Sequence, residues 1–164
     1  MVICFVIAAL LWGDRRNWRS YYSTILFFIA GDLIYNFLLH DYPLWRNQSQ
    51  YVSYKIIALT WDSLIFTSTI LIYFKDYPSS TIQRIKRVLI WVAIYSTIEL
   101  ILITSGYFSH HNGWNIYSSV AANLIMFPTL KIHFHKPGLA WIIYSASALF
   151  IIWFFKVPLN IFIH

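Results

Sequence analysis

Long apolar runs broken by short polar punctuation divide the chain, and residues 21–39, 56–74, 88–105, 114–130 and 139–155 are each dominated by apolar side chains. A helix needs about 20 mainly apolar residues to cross the hydrocarbon of a bilayer, and each run reaches or approaches that length. A shorter run, residues 1–12, opens the sequence. At a rise of about 1.5 Å per residue it falls short of a full span, so it crosses by tilting and thinning the bilayer or belongs to a chain that starts upstream. Turn-forming clusters separate the runs: Asp41-Tyr42-Pro43, Asp76 to Ser80, His111-Asn112-Gly113 and Lys136-Pro137-Gly138. The pattern predicts an all-α, polytopic transmembrane helix bundle of six spans, five if the first segment does not cross, in a single domain over residues 1–164.

Composition strengthens that expectation. Of 164 residues, 59% are hydrophobic and only 11% charged, with a mean hydropathy of +0.61. Soluble domains carry about 25% charged residues, and a fold of this length could not hide so much apolar surface from water. The single cysteine, Cys4, excludes an intramolecular disulfide.

The net charge of +6 points to membrane orientation rather than nucleic acid, because the basic residues fall between the apolar runs. With six spans, one side receives nine of them: Arg15, Arg16, Arg19, Lys75, Arg84, Lys86, Arg87, Lys131 and Lys136. The other receives Arg46, Lys55 and Lys156. The positive-inside rule then puts the nine in the cytoplasm and the C-terminus outside. Trp12, Trp18, Trp91 and Trp141 near one set of span ends, and Trp45, Trp114 and Trp153 near the other, fit aromatic belts.

Three of the six acidic residues, Asp32, Asp62 and Glu99, sit inside apolar runs with no Lys or Arg close in sequence. A charged side chain at a bilayer centre costs about 2.5–3.5 kcal/mol on insertion scales, so such residues are expected to face a bundle interior. Thr24, Phe28, Asp32, Asn36 and His40 recur every four residues and share a helix face; Gly31 beside Asp32 would admit another backbone. Thr60, Ser63 and Thr67 stripe the next span, and Asn115, Ser119 and Asn123 stripe the fifth. Counted from the span ends, the three carboxylates lie about 9–11 Å below the outer boundary, which predicts one shared layer. Carboxylates converging in a dry layer without a basic partner require a proton, a cation or water to compensate them. The candidate ion- or proton-binding set is therefore Asp32, Asp62 and Glu99, with Asn36 and Asn123 as neutral ligands.

Other chemistry is sparse. His40, Asp41, His110 and His111 fall near the outer surface and are the candidate metal ligands, although they lack the tight paired spacing of a zinc motif. His133 and His135 flank Lys131 and Lys136 and are expected to meet anionic lipid headgroups. No Gly-x-Ser-x-Gly, no phosphate-cradling loop and no His-Glu-x-x-His occurs, so no catalytic residue is assigned and no cofactor is expected.

The run Arg19 to Leu38 with Tyr42-Pro43-Leu44-Trp45, the segment Gly106 to Asn115, and the closing Lys136 to Trp141 and Phe155 to Pro158 resemble a family of small multi-pass membrane proteins from Gram-positive spore-forming bacteria. The resemblance covers most of the chain. It implies a bacterial plasma membrane and carries no site residue with it. Function has to come from the residues themselves, which favour proton, cation or small-solute handling of a transporter-like kind. The alternatives are a structural or partner subunit of a membrane complex and a lipid-modifying enzyme. Expected partners are membrane lipids, a proton or cation, and a membrane-protein partner or second copy, with no nucleic acid.

Overall fold

The computed structural model describes residues 1–48 and 53–162. Ser49 to Val52 and the last two residues lie outside them, as do the side chains of Tyr54, Lys55, Ala58, Trp61 and Phe162.

Helices form where the apolar pattern places them. They are α1 (Val2–Trp12), α2 (Trp18–Leu38), α3 (Tyr54–Ile57), α4 (Ser63–Phe74), α5 (Thr81–Thr104), α6 (Ile116–His135) and α7 (Pro137–Phe154). A π-helical turn, Ala58–Asp62, joins α3 to α4 without breaking the rod. Among the described residues, α2, α5 and α7 are long and apolar enough to cross a membrane, while α1 and α4 are apolar but shorter.

Two boundaries differ from the sequence expectation. α5 begins at Thr81 rather than near Val88, so Arg84, Lys86 and Arg87 ride on its first turns. Arg87 then donates from Nη1 to the carbonyls of Tyr73 (3.0 Å) and Lys75 (2.6 Å), satisfying orphan acceptors where α4 ends. α6 runs on to His135, which makes Lys131 and His133 helical. The fold is also not purely helical. Trp45–Asn47 (β1) pairs antiparallel with Phe108–His110 (β2), in the register Trp45↔His110, Arg46↔Ser109 and Asn47↔Phe108. Neither segment is long enough to show a period-two pattern, and the pairing joins loops far apart in sequence.

Packing orders the rods. α1 lies on α4, α4 on α2, α2 on α6, and α6 between α5 and α7. The main core holds Phe27, Phe28, Ile70, Tyr73, Phe74, Trp91, Phe127 and Leu130. Thr24 and His133 are buried with it, His133 Nδ1 lying 3.1 Å from Thr24 Oγ1 and its ring stacking on Phe27 at 4.3 Å. That placement corrects the headgroup expectation for His133: the extended α6 turns this position inward. A second, smaller core of Leu39, Leu44, Trp114 and Val157 lies under the loops at the end where β1 and β2 pair in the manner of a hairpin, although three helices separate them in sequence. Trp45, Trp91 and Trp114 therefore depart from the aromatic-belt expectation, since Trp91 and Trp114 are buried and Trp45 packs against Trp114. Trp12, Trp18 and Trp153 remain exposed.

The opposite end gathers the basic loops. Asp14 donates its backbone N–H to the Leu71 carbonyl at 2.9 Å, which sets the α1–α2 turn against α4. The Lys131 ammonium lies over the rings of Phe74 and Tyr77. Arg84 Nε donates to the Pro78 carbonyl at 2.9 Å.

Candidate functional site

The three acids of the apolar runs fall into two sets, and the hairpin touches both. In the first, Asp32 on α2 accepts a hydrogen bond from Asn36 Nδ2 at 3.0 Å, one helical turn away, as the four-residue spacing predicts. Asp62 closes the π-helical turn and accepts from Asn47 Nδ2 on β1, also at 3.0 Å. α2 packs against that turn, and the two carboxylates are near enough for their charges to act on each other. Neither has a Lys or Arg at salt-bridge distance among the described residues. The Tyr95 hydroxyl, bonded to Thr69 Oγ1 at 2.8 Å, lies in the field of both acids. Tyr144 lies in the field of Asp32 and donates to the Gly31 carbonyl at 2.8 Å.

Gly31 does allow a close approach, but to a ring rather than a backbone. A Cβ there would stand 3.1 Å from Tyr144 Cε2. The small residue thus seats the α7 tyrosine against the turn of α2 that carries Asp32.

The second set surrounds Glu99 on α5. Its Oε1 accepts from Ser119 Oγ at 2.5 Å and lies 2.6 Å from His110 Nε2 on β2. Trp114 Nε1 donates to the same Ser119 hydroxyl at 2.8 Å. Glu99 therefore has a basic partner that adjacent sequence did not reveal, supplied by the loop after its own helix. The side chains of Glu99 and His110 are only 12% and 16% exposed. Because both neighbours converge on the carboxylate, Ser119 has no imidazole to deprotonate it, and the Ser-His-acid order needed to activate a nucleophile is not formed.

Tyr35 locks the hairpin to α2. Its hydroxyl donates to the Trp45 carbonyl (2.7 Å) and accepts from the Leu44 and Trp45 amides (3.0 and 2.8 Å). Its ring stacks on Trp45 with centroids 3.7 Å apart and planes within 1°. Tyr35 is three residues after Asp32, so one helix turn carries both an acid and the clamp over it.

The remaining candidates are dispersed. Asn115 caps α6, its Oδ1 accepting from the Tyr117 and Ser118 amides, and is exposed rather than lining the interior. Thr60 and Ser63 hydroxyls donate to carbonyls of their own helix at 2.6 Å, consuming the stripe expected to face inward. Asn123 is half-buried on α6. His40 lies beyond the end of α2, 3.8 Å from Asp41, while His111 Nε2 contacts Ser109 Oγ at 2.7 Å and His110 goes to Glu99. Among the described residues no three His, Cys, Asp or Glu side chains gather as a metal site would require, so His40, Asp41, His110 and His111 do not converge.

Asn47, Tyr35, Tyr144 and the His110 contact to Glu99 were not singled out as site features from the sequence, whereas Tyr95 was read as a polar neighbour of Glu99 and lies instead in the field of Asp32 and Asp62. Among the former, only Tyr35 had a local signal, its helical spacing from Asp32.

Fold and site together define a predominantly helical protein with apolar helices of membrane-crossing length and an acid-lined, hairpin-capped end. Comparison with protein-family models, curated proteins and solved structures gave no match.

Proposed function

We propose that this chain is a six-span protein of a bacterial plasma membrane, with its basic end in the cytoplasm and its C-terminus outside, that handles a proton or cation at Asp32 and Asp62. The observation that carries the reading is the pair itself. Two carboxylates lie on packed neighbouring elements, α2 and the π-helical turn, with one Asn amide each and no Lys or Arg at salt-bridge distance among the described residues. An internal site of that kind is completed by a proton, a cation or water. The π-helical turn beside Asp62 adds support, because such turns recur at functional sites. Gathering of the basic loops at one end supports the orientation. α1 is short for a span and would cross with tilt or local thinning of the bilayer.

Flux assays on liposome-reconstituted protein test this reading. Wild type should show proton- or cation-dependent flux that Asp32→Asn and Asp62→Asn abolish while the protein still folds. Wild-type vesicles as tight as empty ones, with no cation bound by the protein, would overturn it.

A second reading has its own observation. Asp62 and Glu99 both bond hairpin residues, Asn47 and His110, which is how a carboxylate serves as a structural anchor. On that reading the chain is a structural or partner subunit, and Asp62→Asn and Glu99→Gln loosen the cap without changing any flux.

A further inference from the structure

The basic end holds a pocket that the acidic site does not use. It has a volume of about 540 Å³ and opens between the loop after α4, the start of α5, the end of α6 and the start of α7. Arg84, Lys131, His135 and Lys136 line it, together with Tyr77 and Leu139, and no carboxylate does. The closest acid in sequence, Asp76, lines the neighbouring groove with Lys86 and Arg87.

Two features prepare these cations for an anion. Lys131 is held in place, its ammonium 4.5 Å from the Tyr77 ring centroid and 5.1 Å from that of Phe134. Arg84 spends Nε on the Pro78 carbonyl, which orients the guanidinium and leaves its terminal nitrogens for a ligand. Arg84 and Lys131 repel each other, and neither they nor Lys136 forms a salt bridge among the described residues. The cluster lacks its counter-charge.

The surroundings identify the source of that charge. Leu139 on the rim, Ile142 on the next turn of α7, and Ile82 and Ile85 at the start of α5 are all exposed and apolar. A ligand seated in the pocket would run along Leu139 and Ile142 if it carried acyl chains, whereas a soluble anion would leave them without a partner.

We propose that this pocket binds the phosphate-bearing headgroup of an anionic membrane lipid, with Arg84, Lys131 and Lys136 on the phosphate and the α7 face against the acyl chains. The proposal rests on the chain lying in a membrane and is independent of the acid pair, so failure of the flux assay leaves it standing.

Native mass spectrometry of the full chain in neutral detergent, titrated with phosphatidylglycerol, phosphatidylcholine or inorganic phosphate, tests it. Phosphatidylglycerol should bind at least about tenfold more tightly than phosphatidylcholine, and Arg84→Gln or Lys136→Gln should each weaken it about fivefold. Lys136→Arg, which keeps the charge, should retain binding, as should Arg15→Gln, which lies outside the pocket lining. Equal binding of the two lipids would overturn the proposal. So would an equal loss from Arg15→Gln, which would mean diffuse surface attraction, or displacement of the lipid by millimolar inorganic phosphate, which would mark a free-phosphate site.

Discussion

The acids at the hairpin end and the cations at the basic end are satisfied in different ways. Asp32, Asp62 and Glu99 each meet a donor from the protein, and two of those donors arrive on the hairpin. Lys131 meets ring faces and Arg84 a carbonyl, and with Lys136 they line one pocket that holds no carboxylate. A carboxylate in an apolar run is costly unless the fold brings it a partner, and the short sheet does this by closing over it. Cations at a membrane boundary carry no such penalty, because water and headgroups lie within reach of a long side chain. The hairpin end is therefore built as a closed internal network. The basic end is an open pocket whose cations have no salt-bridge partner among the described residues.

Breaking the cap should separate the two ends most sharply. Trp114 is buried in the small core, packs on Trp45 and Phe155, and holds Ser119 toward Glu99. Trp114→Ala is expected to cost about 3–5 kcal/mol. Hydrogen exchange should show the hairpin amides losing protection first, while the Asp14 amide on the Leu71 carbonyl keeps its own. Equal loss at both ends would mean that the cap and the main core unfold as one unit.

A smaller effect is expected from the carboxylate that anchors β2. Glu99→Ala strands the Ser119 hydroxyl and the His110 imidazole and should cost about 1–3 kcal/mol, with Glu99→Gln costing less because an acceptor remains. Combining Glu99→Ala with His110→Ala in a double-mutant cycle should give a coupling of about 0.5–3 kcal/mol. Additive thermal shifts would mean that the 2.6 Å contact carries no net stabilisation.

How far the sequence disclosed these two ends follows the range of the interactions. Helix positions were readable because apolar periodicity and length are local, and the bond from Asn36 to Asp32 was readable because both lie on one helix face. Asn47 on Asp62 and His110 on Glu99 were not, because each depends on a loop folding back over the bundle end. The two strands are three residues long and pair across sixty positions, too short to show alternation. The early start of α5 was missed because its first turns mix Arg84, Lys86 and Arg87 with only two isoleucines, a composition that hydropathy assigns to a loop. His133 looked like a headgroup ligand from its basic neighbours, yet a continuation of α6 by one turn rotates it onto Phe27 and Thr24.

The smallest expected effect lies at the basic end, where one acid behaves as those at the hairpin end do. Asp14, in the turn between α1 and α2, accepts from Asn17 Nδ2 at 2.9 Å and from the Tyr21 hydroxyl at 2.7 Å. The Asn17 bond, then the Tyr21 bond, hold its carboxyl below the ordinary aspartate range. A depressed folded value means that the ionised form is favoured by folding. The stabilisation is then fully present above the unfolded value of about 3.9 and is lost as pH falls through the folded value. Subtracting the thermal midpoints of Asp14→Asn from those of wild type between pH 7 and pH 3 should give a difference that is flat to about pH 5 and declines below it. The decline should be small, because the group is largely open to solvent. A difference that stayed flat to pH 3 would mean that the two bonds orient the turn without favouring the ionised carboxylate, and Asp14 would then stand apart from the internally satisfied acids at the other end.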